Sequence, residues 1–387
     1  MEGATIAIQR ARPEEDIHRS EDARPVLRRG IAAAVLVPFA VSHLLMAVLT
    51  AFMAALRGQS PLQIWNQWDT TWYLGIAAHG YHWGINGKSA LAFFPLYPLL
   101  LHLGSLGGSP SVAFAMLIAN LAGGGALTYL YLWTSADRGA EVAGRTVWLF
   151  ALFPTAVFTI APYTESLFLL CAVGSIYHAR RQQSLRAGLW MAAAIMTRST
   201  GFILIPALLL AARPQRFRSW SALLVPTCAA AGGYLAYLLA LGFNPVHILG
   251  SQRGWHRTLT YPWTGFTASL TWLIQHGSYL PFTSENLLQM GAALFFLFLT
   301  VRAWPEIDQP SKVYCAGFWL IVLCTPEWQD GFYAPFMSTD RFVLSLFPIV
   351  AWGATKLVGR RYRTVLVVSA TSMVVAAAVH LAGGWVG

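Results

Sequence analysis

The sequence predicts an all-α membrane protein with many spans, and three observations carry that prediction. Of 387 residues 56% are hydrophobic and only 11% charged, with a mean hydropathy of +0.52, whereas a soluble domain carries about 25% charged residues. No water-soluble fold hides so much apolar surface, so lipid must cover part of it. Apolar runs recur along the whole chain, and the basic residues fall mostly in alternate breaks between them, which is how membrane topology is specified.

Residues 1–29 read as a cytoplasmic tail with no targeting pattern, and 30–387 as one integral domain. The first apolar run, Ile31 to Leu56, is too long for a signal-peptide core and is read as a retained span. Eleven candidate spans follow from hydropathy: 30–55, 111–133, 145–160, 163–179, 187–198, 200–212, 219–241, 286–303, 312–326, 341–357 and 364–384. Several fall short of the ~20 residues that a lipid-exposed span needs, so they read as broken or buried helices.

With the N-terminus cytoplasmic, twenty basic residues fall inside and six fall outside: Arg57, Lys88, Arg198, Arg253, Arg257 and Arg341. That bias supports the orientation. The net charge of +10 therefore reports topology and not a nucleic-acid face. Only three of the basic residues are lysines, which points to a GC-rich bacterial genome. The four cysteines (Cys171, Cys228, Cys315, Cys324) lie inside apolar runs without metal-ligand spacing, so buried small side chains are expected.

Two long segments face outward in this layout, 57–110 and 242–285, both rich in Trp, Tyr, His and Pro. Such loops lie along the bilayer surface. Residues 91–103 are apolar but interrupted by Pro95 and Pro98, and both flanks must stay outside. They read as an interfacial or re-entrant helix and not a crossing.

Polar groups at membrane depth are costly and tend to serve function. Of 16 acidic residues, six lie in the N-terminal tail and four beside basic residues in inner loops. The outward six are Asp69, Glu165, Glu285, Glu327, Asp330 and Asp340, and an external catalytic acid or base must come from these or from a histidine such as His79 or His82. Asp69 stands in Trp68-Asp69-Thr70-Thr71-Trp72-Tyr73, where aromatic neighbours could desolvate it. It could equally be an interfacial helix cap. Glu165, in Pro162-Tyr163-Thr164-Glu165-Ser166, suits a helix start. Arg198, in Thr197-Arg198-Ser199-Thr200-Gly201, needs an anionic partner, either Glu165 or a phosphate.

These segments resemble a known family. WDTTWYLGIAAHGY (68–81) followed by AFFPLYPLL (92–100) is similar to the first-loop signature of the GPI mannosyltransferase 2, or PIG-V, family. FPTAVFTIAPYTESLFLL (153–170) resembles its Pro…Tyr-x-Glu-Ser-Leu-Phe segment. TRSTG (197–201) resembles its Arg-Ser-Asn-Gly, with Thr200 in place of Asn, and STDRFVLSLFPIV (338–350) its late Arg-Phe/Tyr element. The resemblance runs in order from about 65 to about 350.

It implies a GT-C-like bundle of about eleven spans with interfacial helices in the first outer loop. It also implies a bacterial plasma-membrane glycosyltransferase that takes a hexose, most simply mannose, from a polyprenyl-phosphate donor to an extracytoplasmic lipid or glycan acceptor. In the resemblance Asp69 occupies the catalytic-base position. Arg198, Gln252, Arg253, His256, Arg257 and Arg341 are candidates to hold the donor phosphate, with Glu165, Tyr163, His79 and Trp68 in the substrate site. No second acid adjoins Asp69, which favours metal-independent chemistry. The rival readings are a transporter or flippase of a lipid-linked sugar, for which no two-half repeat is found, and a structural subunit without turnover.

Overall fold

The computed structural model describes residues 13–82, 88–106, 108–212, 217–276, 280–329, 332–333 and 335–386. Side chains at 13–29, 245, 248–249, 252, 276, 280–284, 328–329 and 332–333 fall outside that description, as does Asp330.

The chain is almost wholly helical. Helix α1 (Pro13–Arg57) leads into α2 (Asp69–His79) and α3 (Leu96–Gly104) of the first outer segment. The bundle continues with α4 (Val112–Arg138), α5 (Ala140–Ala151), the one-turn α6 (Val157–Ile160), α7 (Glu165–Arg180), α8 (Ser184–Thr197), α9 (Leu204–Ala211) and α10 (Phe217–Ala240). The second outer segment contributes α11 (Pro245–Gly254) and α12 (Thr264–His276). After α13 (Leu280–Ala303) and α14 (Gln309–Cys324) comes a two-residue hairpin, β1 (Trp328–Gln329) and β2 (Phe332–Tyr333). The short α15 (Thr339–Phe342), then α16 (Phe347–Lys356) and α17 (Gly359–Leu381), complete the fold.

Helix occupies every predicted span, but not as eleven uniform crossings. Among the described residues five helical stretches are long and apolar enough to cross a bilayer: Gly30–Arg57, Val112–Arg138, Phe217–Ala240, Glu285–Glu306 and Gly359–Leu381. These stretches present apolar side chains outward, including Leu44, Val48 and Phe52 on α1 and Val367, Val368 and Val375 on α17. A continuous face of that kind is stable only against lipid or another protein. The protein is thus a multi-pass membrane protein. The expected run 145–160 is divided into α5 and α6, and 341–357 into α15, a 3-10 turn and α16. Helix α1 begins at Pro13, ahead of its candidate crossing Gly30–Arg57.

Helix α7 sits at the centre, buried around almost its whole circumference and packed on α4, α8 and α9. Its apolar residues lie all round the helix, which suits that position, and its 16 residues need not match the bilayer because protein surrounds it. Small residues let neighbouring backbones close in, as is usual in membrane bundles. A Cβ at Gly188 of α8 would lie 2.5 Å from the Ala222 carbonyl oxygen of α10. Three of the cysteines are buried as expected, whereas Cys228 faces outward on α10.

The charges sort into two separate groups. Arg180 pairs with Asp137 and Asp308, Lys356 with Glu306, and Arg145 with Glu141; all of these the sequence assigns to the inner side. Asp69, Glu165, Arg198, Arg257, Glu327 and Arg341, all assigned to the outer side, form the other group. The expected interfacial segment is a 3-10 turn (Ala90–Ala92) and α3, whose nine residues span about 13 Å. That is less than half the bilayer core.

Candidate active site

Asp69 is the first residue of α2, and the residue before it, Trp68, has a left-handed backbone (φ 51°). Ser338 (φ 66°), just before α15, and His256 (φ 56°), just before Arg257, also have positive φ. Non-glycine residues adopt it at a cost that surrounding structure must offset, and here each stands within three residues of a charged group in one cluster.

The Asp69 Oδ2 oxygen accepts a hydrogen bond of 2.8 Å from Nη2 of Arg341. Through Nε the same guanidinium donates to Glu165 Oε1, and Arg198 Nη1 donates to that same oxygen. Glu165 thus lies buried between two arginines. Its other oxygen, Oε2, is buried with no hydrogen-bond partner among the described residues. Arg341 is 4% exposed, and its guanidinium lies over the rings of Tyr163 (4.7 Å) and Phe158 (4.9 Å). A planar cation between aromatic faces and two carboxylates has little freedom.

The surrounding hydrogen bonds fix this arrangement. Tyr73, one turn along α2, shares a hydrogen bond of 3.1 Å with the Thr164 hydroxyl, which also accepts from Arg198. Burial, together with the negative charge of Asp69, pushes the Tyr73 phenol above its ordinary pKa, so it stays a neutral group. Trp72 packs against Phe93 and Trp255. Behind Tyr163 lies His380 of α17, and beyond it Trp385 meets Trp68 edge-on at 4.9 Å. No sequence signal marked these last two residues.

Beside this cluster opens a cavity of about 1020 Å³. Arg198, Arg253 and Arg257 line it together with Thr200, and Phe202, Leu235, Phe318, Ile321 and Val322 supply an apolar wall. Arg257 is paired with Glu327 through two contacts of 3.2 and 3.3 Å, and it lies over Phe342, as does Arg198. Arg253 is exposed and has no carboxylate partner among the described residues. The second outer segment reaches the cavity because Trp255 docks on the first, donating from Nε1 to the Ser89 carbonyl.

The structure therefore brings together Asp69, Tyr163, Glu165, Arg198 and Arg341, and sets Arg253 and Arg257 across the cavity. His256 turns the chain between Trp255 and Arg257. His79 is exposed at the far end of α2 and does not reach the cavity. Gln252 has its side chain outside the described residues. Arg341, read from the sequence as a further phosphate ligand, is buried behind Glu165 and bonded to Asp69. Among the described residues no three of His, Cys, Asp and Glu gather as a metal-binding group.

The chain is similar to known proteins over part of its length. Residues 33–224 match the family model described as Mannosyltransferase (PIG-V). The GPI alpha-1,6-mannosyltransferase 2 of Cricetulus griseus is 32% identical over 155 residues, and that of Rattus norvegicus 30% over the same length. The chain is PIG-V-like. Each alignment covers 37% of this chain and 31% of the relative, so the chain spans about a third of the curated relatives it matches. The crystal structure of ArnT from Cupriavidus metallidurans bound to undecaprenyl phosphate overlays 89% of this PIG-V-like chain and 64% of its own, with a TM-score of 0.52 at 14% identity. The likeness to that structure is one of fold.

Proposed function

We propose that this PIG-V-like protein is an inverting glycosyltransferase that moves a hexose, most simply mannose, from a polyprenyl-phosphate donor to an extracytoplasmic lipid or glycan acceptor in a bacterial plasma membrane. The observation that carries the reading is the pairing of an arginine-rimmed cavity, apolar on its other wall, with a carboxylate held in place by Arg341. A lipid phosphate fits the first and an acceptor hydroxyl the second. The family match supports the reaction class, and the GT-C neighbour with bound undecaprenyl phosphate supports the donor class.

In this mechanism Asp69 takes the proton of the acceptor hydroxyl as its oxygen attacks the anomeric carbon. Arg198, Arg253 and Arg257 hold the phosphate as negative charge develops on it. The polyprenyl chain lies along Phe202, Leu235 and Phe318. No metal takes part, since Asp69 is paired with a guanidinium instead of a second acid.

The test is release of polyprenyl phosphate from a mannosyl donor by the purified protein with candidate acceptors. Asp69→Asn should lower turnover at least 100-fold with unchanged thermal stability. Turnover near wild type in that variant removes Asp69 from the base role.

A further inference from the structure

Asp69 does not line the cavity proposed for the donor phosphate, yet an unbroken run of charged contacts joins the two. The run is Asp69, Arg341, Glu165, Arg198, and then the cavity wall. Signs alternate along it, and a single carboxylate oxygen serves both arginines. A purely structural ion pair would use both oxygens of Glu165. Here Oε2 is buried and idle.

The stereochemistry of Arg341 gives that idle oxygen a role. Arginine's Nε and Nη2 hydrogens are parallel and together form the fork that grips both oxygens of a carboxylate. Arg341 places Nε on Glu165 but Nη2 on Asp69, dividing the fork between two acids. If Asp69 gained a proton its hold on Nη2 would weaken, and Glu165 Oε2 is the open acceptor that would complete the fork.

We infer that Arg341 and Glu165 are positioning residues that couple protonation of Asp69 to the charge on the phosphate in the cavity. The inference rests on the donor class proposed above. In the transfer step the acceptor O–H bond breaks and its proton goes to Asp69. The oxygen bonds to the anomeric carbon, and the bond from that carbon to the phosphate oxygen breaks, its electron pair leaving on the phosphate. The donor is a diester with one negative charge; the freed monoester carries close to two.

Along the run and the cavity wall, Arg198, Arg253, Arg257 and Arg341 face Asp69, Glu165 and Glu327, leaving one positive charge over among the described residues. That surplus matches the diester. Once Asp69 is protonated the surplus is two, which matches the monoester. Asp340, adjacent to Arg341, belongs to neither the run nor the cavity wall: among the described residues it makes no ion pair, its amide donates to Gln289 and its Oδ1 accepts from the Arg341 amide. The site thus follows the charge of its ligand through the step, with Arg341 as the moving contact and Arg198 shared between Glu165 and the phosphate.

The experiment measures binding of a polyprenyl phosphate and of its mannosyl diester to protein in nanodiscs, together with kcat and donor KM. Glu165→Gln removes a negative charge from the resting site and raises its surplus from one to two, so the preference for monoester over diester should rise about tenfold. Arg341→Lys keeps the charge but loses the fork, so the preference should stay at the wild-type value while kcat falls about 100-fold at unchanged donor KM. Arginine at 341 is then required for its geometry. An unchanged preference in Glu165→Gln overturns the coupling, and wild-type kcat in Arg341→Lys overturns the role of the fork. Failure of the wild type to bind either lipid is a different result, since it removes the donor reading and this inference with it.

Discussion

Gly201 offers the sharpest test of how the fold positions Arg198. It lies in the 3-10 turn Ser199–Ile203, directly after Arg198 in the TRSTG stretch. A Cβ at this position would stand 2.6 Å from the Ile195 nitrogen and 2.7 Å from the Ala194 carbonyl carbon and the Ile195 Cα. All three are backbone atoms of α8 and cannot rotate away. To restore ordinary contact at 3.4 Å, the turn or the helix must retreat by about 0.8 Å. The Gly201 amide donates to the Arg198 carbonyl at 2.9 Å, and the Arg198 amide to Ala194 at 3.0 Å, so the displacement passes directly to Arg198.

Overpacking of this kind destabilises by about 1–3 kcal/mol. A shift near 1 Å in a positioning group costs about 100-fold in rate. Gly201→Ala should therefore fold with a lowered Tm and lose about two orders of magnitude in donor kcat/KM. Thermal unfolding in nanodiscs and donor titration measure the two effects separately. Wild-type transfer by Gly201→Ala would refute the claim that close contact between this turn and α8 sets the arginine.

Two other substitutions probe the remaining parts. Arg341→Met leaves Glu165 buried with one arginine and Asp69 with none, a loss of about 3–5 kcal/mol for a broken buried pair; if Arg341 acts through Asp69, the double variant with Asp69→Asn should turn over no more slowly than Asp69→Asn alone. Trp255→Ala removes the contacts to Ser89, Trp72 and Phe93 that seat the second outer segment. Donor KM should rise at least tenfold with the bundle's Tm little changed, and an unaltered KM shows that Arg253 and Arg257 are placed without it.

The fold was legible because lipid imposes a coarse rule. Twenty-odd apolar residues or a charge bias can be counted without knowing what packs on what, so every predicted span proved to be helix. The breaks were not legible: α5 parts from α6 at Phe153-Pro154-Thr155, where hydropathy stays high. Asp69, Glu165 and Arg198 were visible as charges that an apolar environment must account for, and the choice of Glu165 or phosphate for Arg198 resolved as contact with Glu165 at the edge of the cavity. The partner of Asp69 was hidden. Arg341 lies 272 positions away, and no spacing rule links a residue of the first loop to one after α14. His380 and Trp385 were invisible for the opposite reason, being ordinary residues made relevant only by the rings they touch.

Displacement with inversion places the incoming oxygen and its base on the face of the sugar opposite the leaving group. A base inside the phosphate cavity would compete with the donor and be repelled by it. Asp69 is instead separated from the cavity by Arg341 and Glu165, and its side chain is 18% exposed. Beside it Trp68 is 41% exposed and backed by Trp385. The cavity is thus shaped by α8, α10, α14 and the second outer segment, and the approach to Asp69 by α2 and the residues after α17. Asp69, Glu165 and Arg198 all fall within the stretch matched to the PIG-V family model, whereas Arg253, Arg257, Glu327 and Arg341 lie beyond residue 224. In the proposed mechanism neither half makes a site alone: a base without Arg341 is unplaced, and an arginine-rimmed cavity without Asp69 would hold a lipid phosphate but not draw a proton from an alcohol.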